Sequence, residues 1–164
     1  QQITHLIPLL QFETSEARKE PLDIVCLLWE QLDLLESLFR SQSVHLFTDI
    51  PNDPILVSGD RNQLGSALLN LIKNAIDACR MHDTVSVICF ISHSYVTISI
   101  QDTGIGMTPS QLARLWQPLF TTKQEGTGLG ASIARHFIIH HGGSIHAESI
   151  PGSGTTITIE LPVS

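Results

Sequence analysis

Two glycine clusters limit what this chain can fold into: DTGIGM at 102–107 and GTGLG at 126–130, separated by a polar insert. A glycine-rich loop leaves backbone N–H groups exposed. Where such a loop runs into a helix N-terminus, the amides and the helix dipole together favour phosphate. The first cluster differs, because its carboxylate, Asp102, directly follows an alternating apolar run and is followed at once by turn residues. One acceptor thus stands at a pocket floor where glycines let a flat ligand approach the backbone. Together the clusters point to a nucleotide held between them.

A chain of 164 residues is one domain's worth and buries a sizeable core. The hydrophobic share of 42% and the positive mean hydropathy fit a soluble globular protein. No apolar run approaches the roughly 18–20 residues that span a bilayer, and no signal-peptide pattern is present. A net charge of -7 argues against a nucleic-acid surface, so an anionic ligand must be held by local donors. Cys26, Cys79 and Cys89 lack metal-like spacing and sit in apolar contexts typical of buried thiols, which favours a reducing cytosol.

Residues 1–12 place Ile3, Leu6, Ile7 and Leu10 at helical spacing, without a cap and with Pro8 among them, like the tail of a longer helix. Residues 13–21 are charged and end in proline, as a linker does. Pro21 then suits the first turn of a helix over 22–40, with Ile24, Leu27, Leu28, Leu34, Leu35 and Leu38 as its apolar stripe. Short strands are expected at 44–50 and 55–57, and Asp60 caps a long helix over about 61–80. Strands at 84–92 and 95–102 are joined near His93-Ser94, and the alternation in the second leaves one face wet or lightly covered. Helices near 109–116 and 128–141 follow, the latter stopped by Gly142-Gly143; strands at 144–150 and 155–161 flank a Pro-Gly turn. Helices and largely antiparallel strands in separate runs define the α+β class, a two-layer α/β sandwich with helices on one face.

Within the 61–80 helix, Asn70, Lys73, Asn74 and Asp77 share one face by their i, i+3, i+4, i+7 spacing. A solvated stripe accounts for Lys73 and Asp77 as well as function does. Two asparagines one turn apart are less at home there, since asparagine is a mediocre helix former. An Asn carbonyl oxygen suits Mg²⁺, which takes few ligands from protein and completes its shell with water and phosphate oxygens.

NLIKNAIDA (70–78), DTGIGM (102–107), LWQPLFTTK (115–123) and GTGLG (126–130) resemble, in order and spacing, the N, G1, F and G2 boxes of the sensor histidine kinase catalytic domain. The resemblance covers about residues 22–162, and PGSGTTITIELP is similar to the closing strand of that family. It implies a Bergerat-type ATP-binding fold. An F box ending in TTK with a short lid resembles the nitrogen-regulation kinases. By the same likeness, residues 1–12 form the end of a dimerisation helix, 13–21 a linker and 22–164 the catalytic domain. The phosphoacceptor histidine then lies upstream, and none of the chain's own histidines sits in a His-Glu-x-x-Asn-Pro context.

The resemblance implies ATP and Mg²⁺ as cofactors and assigns roles residue by residue. Asn74 would be the Mg²⁺ ligand, with Asn70 in support and Lys123 as a phosphate contact; these three are the catalytic set. Asp102 would accept from the adenine N6 amine, where guanine carries a carbonyl. Gly104 and Gly106 would make room for the purine beside Met107, and Thr155 would support Asp102 through water. Phe120, Thr121, Thr122 and Lys123 would belong to a lid, while Gly126, Thr127, Gly128, Leu129 and Gly130 would close over the phosphates. The chain departs from the family pattern at Trp116, Gln117 and Leu119, where Phe, Glu and Phe are more frequent, and at Ala131. Asp77, in the cofactor-binding set, stands where many relatives carry a basic residue.

ATPases of the same fold, such as gyrase and the heat-shock chaperones, place a glutamate one turn before the metal-binding Asn as the base that activates water. Asn70 occupies that position here and takes no proton, which favours a phosphoryl acceptor from another domain. An ATPase and a non-catalytic nucleotide-binding module are the alternatives. The implied partners are the chain's own dimerisation domain, in a homodimer, and a response-regulator receiver domain, with no nucleic acid. The implied setting is the cytoplasm, whether the parent is membrane-bound or soluble. His136, His140 and His141 recur at helical spacing, but no carboxylate or cysteine completes a zinc set; His140 and His141 suit a helix C-terminus, where positive charge is favoured.

Overall fold

The computed structural model describes residues 16–118 and 130–164. Asp23 sets the first turn of the architecture. Its carboxylate accepts from the Val25 amide at 3.0 Å, capping helix α1 (Ile24–Leu34), and from the Ile55 amide at 3.2 Å. The helix start expected at Pro21 is thereby corrected. Pro21 lies in a short strand, β1 (Glu20–Asp23), paired antiparallel with β3 (Leu56–Gly59). A two-stranded ribbon has only edges, where the missing proline N–H is tolerated.

The long helix expected over 22–40 breaks at Leu35, after which α2 (Glu36–Ser41) continues. The buried stripe runs through Ile24, Leu28, Leu32, Leu35 and Phe39, close to the helical repeat across the break. Leu34 falls off that stripe and is 69% exposed, correcting its placement in the core. Cys26 is also corrected: it is exposed on α1, its Sγ 3.6 Å from the Glu30 carboxylate one turn on. Cys89 is buried and Cys79 half-buried.

Asp60 caps α3 (Arg61–Ala78) as expected, its carboxylate accepting from the Asn62 and Gln63 amides at 2.9 and 3.0 Å. The alternating runs form β4 (Thr84–Ser92) and β5 (Tyr95–Asp102), turned at His93 with φ 57°. Thr108 and Gln111 make a reciprocal capping box on the short α4 (Pro109–Ala113). Helix α5 (Gly130–His140) ends at Gly142-Gly143, and the hairpin β6 (Ser144–Ile150) and β7 (Gly154–Pro162) follows.

With β2 (His45–Asp49), these strands form a five-stranded sheet in the order β2-β4-β5-β7-β6, in which only the β2–β4 pair is parallel. The inner face carries Val85, Val87, Val96, Ile98, Ile100 and Ile159, packed with Leu27, Leu28, Leu68, Ile72, Phe137 and Ile138 from α1, α3 and α5. Helices cover one side, giving the α+β two-layer sandwich. On the outer face Gln101 is exposed while Thr97 is buried, so that face is lightly covered rather than bare.

One corner joins distant parts of the chain. His141 is buried; its Nδ1–H donates to Phe137 O at 2.7 Å and its Nε2 accepts from the Asp60 amide at 3.0 Å. The second bond requires the neutral ring, whose Nε2 carries no proton, and burial lowers its pKa. The positive charge expected for His141 is therefore corrected. At the same corner the Arg18 amide donates to Asp60 Oδ2 and Lys19 Nζ to His140 O, at 2.9 and 3.0 Å.

Candidate nucleotide site

The site begins where β5 ends. Asp102 is 4% exposed, and its Oδ1 accepts from the Gly104 amide at 2.9 Å. Burial pushes the carboxyl up, opposed by the amides of Gly104 and Thr155, while Asp83 adds to the rise. Strand register pairs Asp102 with Thr155 on β7, and Thr155 with Ser149 on β6. Because side chains alternate along a strand, these three share the inner face with Ile100, Ile157 and Ala147.

The loop after Asp102 is tethered at almost every residue. Thr103 exchanges hydrogen bonds with Thr84, its amide to Thr84 O at 3.1 Å and the Thr84 amide to its hydroxyl at 3.0 Å. The Ile105 amide donates to Ala78 O at 3.0 Å, at the end of α3, and Ile105 O accepts from Gly152 at 2.7 Å. The Met107 amide donates to Ser149 Oγ at 2.8 Å. The two glycines make room for protein backbone. A methyl at Gly104 would lie 2.1 Å from Ala78 O, and one at Gly106, with φ 65°, 2.1 Å from Ile150 O. No side chain fits at either position.

Along α3, Asn70, Asn74 and Asp77 are half-buried and Lys73 is exposed. Gly130, the first residue of α5, faces Asn70: a methyl there would stand 3.7 Å from Asn70 Cγ. The Asn70 amide nitrogen is 3.5 Å from Ser66 Oγ. From Asn70 to Ala78 the helix rises about 12 Å, at about 1.5 Å per residue. One end of this face meets the start of α5, and the other meets the loop that holds Asp102. A base at Asp102 would therefore have its phosphates run back along the asparagines.

Asp102, Gly104, Gly106, Met107 and Thr155 come together at the base end, and Asn70 and Gly130 at the other, with Asn74 and Asp77 between. Phe120, Thr121, Thr122, Lys123, Gly126, Thr127, Gly128 and Leu129 lie outside the described residues. Among the described residues no group of three His, Cys, Asp or Glu side chains is placed to hold a metal. Ser149 and the Ala78 carbonyl were missed. For Ser149 a signal existed: it continues the inward parity of Ile145 and Ala147, a polar group where an apolar one belongs. A groove of about 550 Å³ lined by Trp29, Leu32, Phe39, Val44 and Leu46, among others, lies apart from this site.

A buried carboxylate on a sandwich sheet, opposite a polar helix face that ends at a glycine-initiated helix, defines a nucleotide-binding α/β sandwich. The chain belongs to the family of histidine kinase-, DNA gyrase B-, and HSP90-like ATPases, whose model matches residues 59–164. It is 36% identical over 148 residues to sporulation kinase A of Bacillus subtilis (strain 168), covering 90% of this chain and 24% of that protein. It is 37% identical over 147 residues to the sensor histidine kinase ZraS of Escherichia coli (strain K12), covering 88% of this chain and 31% of that protein. The chain thus spans about a quarter to a third of the length of these relatives. The nucleotide-free catalytic domain of histidine kinase ThkA superposes with a TM-score of 0.80 at 28% identity, covering 88% of this chain and 95% of that one. ThkA in complex with the response regulator protein TrrA matches with a TM-score of 0.82 at 24% identity, covering 99% of this chain and 47% of that one; at that identity it speaks for the fold alone. The fold and family are those of an ATP-binding catalytic domain of the histidine kinase type.

Proposed function

We propose that this chain is the ATP-binding catalytic part of a two-component sensor histidine kinase. It passes the γ-phosphoryl group to a histidine on a dimerisation domain outside the chain. The observation that carries the reading is Asn70, half-buried on α3 against Gly130, where a hydrolase needs a carboxylate base. An amide there orients but takes no proton, so the nucleophile and its base come from elsewhere. ATP with Mg²⁺, when bound, supplies the phosphoryl group and neutralises charge on the phosphates. Asp102 accepts from the adenine amine, and Asn74 offers its amide oxygen to the metal with Asn70 in support. Gly130 begins the helix that would receive the phosphates, and Lys123 is the further phosphate contact that the family resemblance implies.

The donor set fits the metal. Mg²⁺ accepts a single protein oxygen where phosphate and water complete its shell, so no carboxylate cluster is needed. On this reading residues 1–12 would be the end of the dimerisation helix, 13–21 the linker and 22–164 the catalytic domain, in a cytoplasmic homodimer of the nitrogen-regulation subtype. Among the described residues no helix is long and apolar enough to cross a membrane. A response-regulator receiver domain is the expected downstream partner; ThkA, whose catalytic domain is 28% identical to this chain, was solved in complex with the response regulator protein TrrA.

Incubating the chain with γ-labelled ATP, Mg²⁺ and a histidine-bearing dimerisation fragment from a homologous kinase tests this. Label on the fragment, absent without the chain and lost with Asn74→Ala, is the expected result. Vigorous hydrolysis by the chain alone, with no label transferred, would instead indicate an ATPase.

A further inference from the structure

We infer that Ser149 is a specificity-determining positioning residue, one that makes the base pocket accept hydrogen bonds and offer none. The inference rests on the reading of Asp102 as the adenine contact. Ser149 Oγ has three partners: it donates to Gly154 O at 3.0 Å, accepts from the Met107 amide at 2.8 Å, and lies 2.8 Å from Thr155 Oγ1. A serine hydroxyl has one proton and two lone pairs. Its proton is committed to the Gly154 carbonyl, which can only accept. The hydrogen bond between the two hydroxyls must then be donated by Thr155.

That settles the sense of Thr155. With its proton turned to Ser149, its oxygen presents only lone pairs on the row it shares with Asp102. Asp102 is acceptor-only when ionised, and its Oδ1 already receives the Gly104 amide. The pocket end thus shows two acceptors, directly or through water. An adenine N6 amine donates and suits them; a guanine O6 accepts and does not. Ser149 touches no ligand in this arrangement. It acts through Thr155, and through Met107 it ties the loop carrying Gly104 and Gly106 to the sheet.

Removing the Ser149 hydroxyl frees the Thr155 proton to turn toward the base. Adenine loses an acceptor and guanine gains a donor, so the two nucleotides respond in opposite directions. A residue that only supported the fold would weaken both alike.

The test is calorimetric titration of ATP and GTP, each with Mg²⁺, into the wild-type chain, Ser149→Ala, Ser149→Thr, Thr155→Val and Asp102→Asn, with thermal unfolding of each protein alone. Ser149→Ala is expected to weaken ATP about 10-fold while leaving GTP unchanged or tighter. Ser149→Thr keeps a hydroxyl in a strand and retains the wild-type ratio. Combining Ser149→Ala with Thr155→Val should narrow the ATP/GTP ratio no further than Thr155→Val alone, because both act through one group. An unchanged ratio in Ser149→Ala, or equal losses for both nucleotides with a lowered melting temperature, overturns the inference. Ser149→Cys, nearly isosteric but a weak hydrogen-bonder, makes the same comparison if the alanine variant does not fold. Failure of the underlying reading looks different: the wild type would not prefer ATP, or Asp102→Asn would leave the preference intact.

Discussion

The Asp60 amide donates to Nε2 of His141 at 3.0 Å, joining the N-cap of α3 to the residue after α5. The ring is held neutral because Nε2 must accept the Asp60 amide and burial disfavours its charge, against the opposing pull of the Nδ1–H bond to Phe137 O. The charged groups facing it are Lys19, His140 and Asp60; the first two oppose its protonation and Asp60 favours it.

Stability should therefore fall on mild acidification. The pKa of His141 is lowered in the folded chain, so below about 6.5 the unfolded chain binds a proton that the folded one refuses. The contribution is full above that value and is lost as pH falls toward the folded pKa. Denaturant midpoints at pH 7.5 and 5.5 measure it. His141→Leu should flatten the dependence and cost about 1–3 kcal/mol at pH 7.5, since it leaves the Asp60 amide without its acceptor.

Placing a base at position 70 should move the chemistry toward water. Asn70→Glu is expected to raise steady-state ATP hydrolysis about 10-fold, well short of the roughly 100- to 10,000-fold a well-positioned base supplies. Label transfer to an added dimerisation fragment should fall at the same time. Phosphate release and transfer measured on the same preparations check both. An unchanged hydrolysis rate would mean that position 70 does not face the γ-phosphate.

Two glycines should respond with opposite signs. Gly104→Ala puts a methyl 2.1 Å from a backbone carbonyl and should destabilise by about 1–3 kcal/mol or more, with loss of ATP affinity. Gly65→Ala, within α3, meets only flexible side-chain atoms of Gln31 and Leu27 at 3.4 Å. Alanine's better helix propensity should make it more stable by up to about 1 kcal/mol, with ATP binding intact. Thermal melts with and without ATP separate the two cases.

Local chemistry made much of the molecule legible. Asp60 as a cap, Thr108-Pro109 as a helix start, Gly142-Gly143 as a stop and the alternation through Asp102 each act over a few residues, and each appears in the structure. Departures arise where a distant partner decides. Pro21 joins a strand because β3, more than thirty residues on, pairs with it. His141 is buried because an amide 81 residues earlier needs an acceptor. Ser149 stayed hidden because its partner, Met107, lies 42 residues away in a loop. The glycines at 104 and 106 were recognised as necessary, but the atoms that require them, Ala78 O and Ile150 O, are not visible in one dimension.

The position of β7 has a consequence for synthesis. It follows β6 in sequence, yet it lies between β5 and β6, and Thr155 enters opposite Asp102 only with it. A nascent chain can assemble α1, α3 and the β4–β5 hairpin while still on the ribosome. Until β7 emerges, β6 has no neighbour in the sheet and Asp102 lies at an open edge. A ribosome stalled before position 154 would thus display the helices and the carboxylate without a pocket.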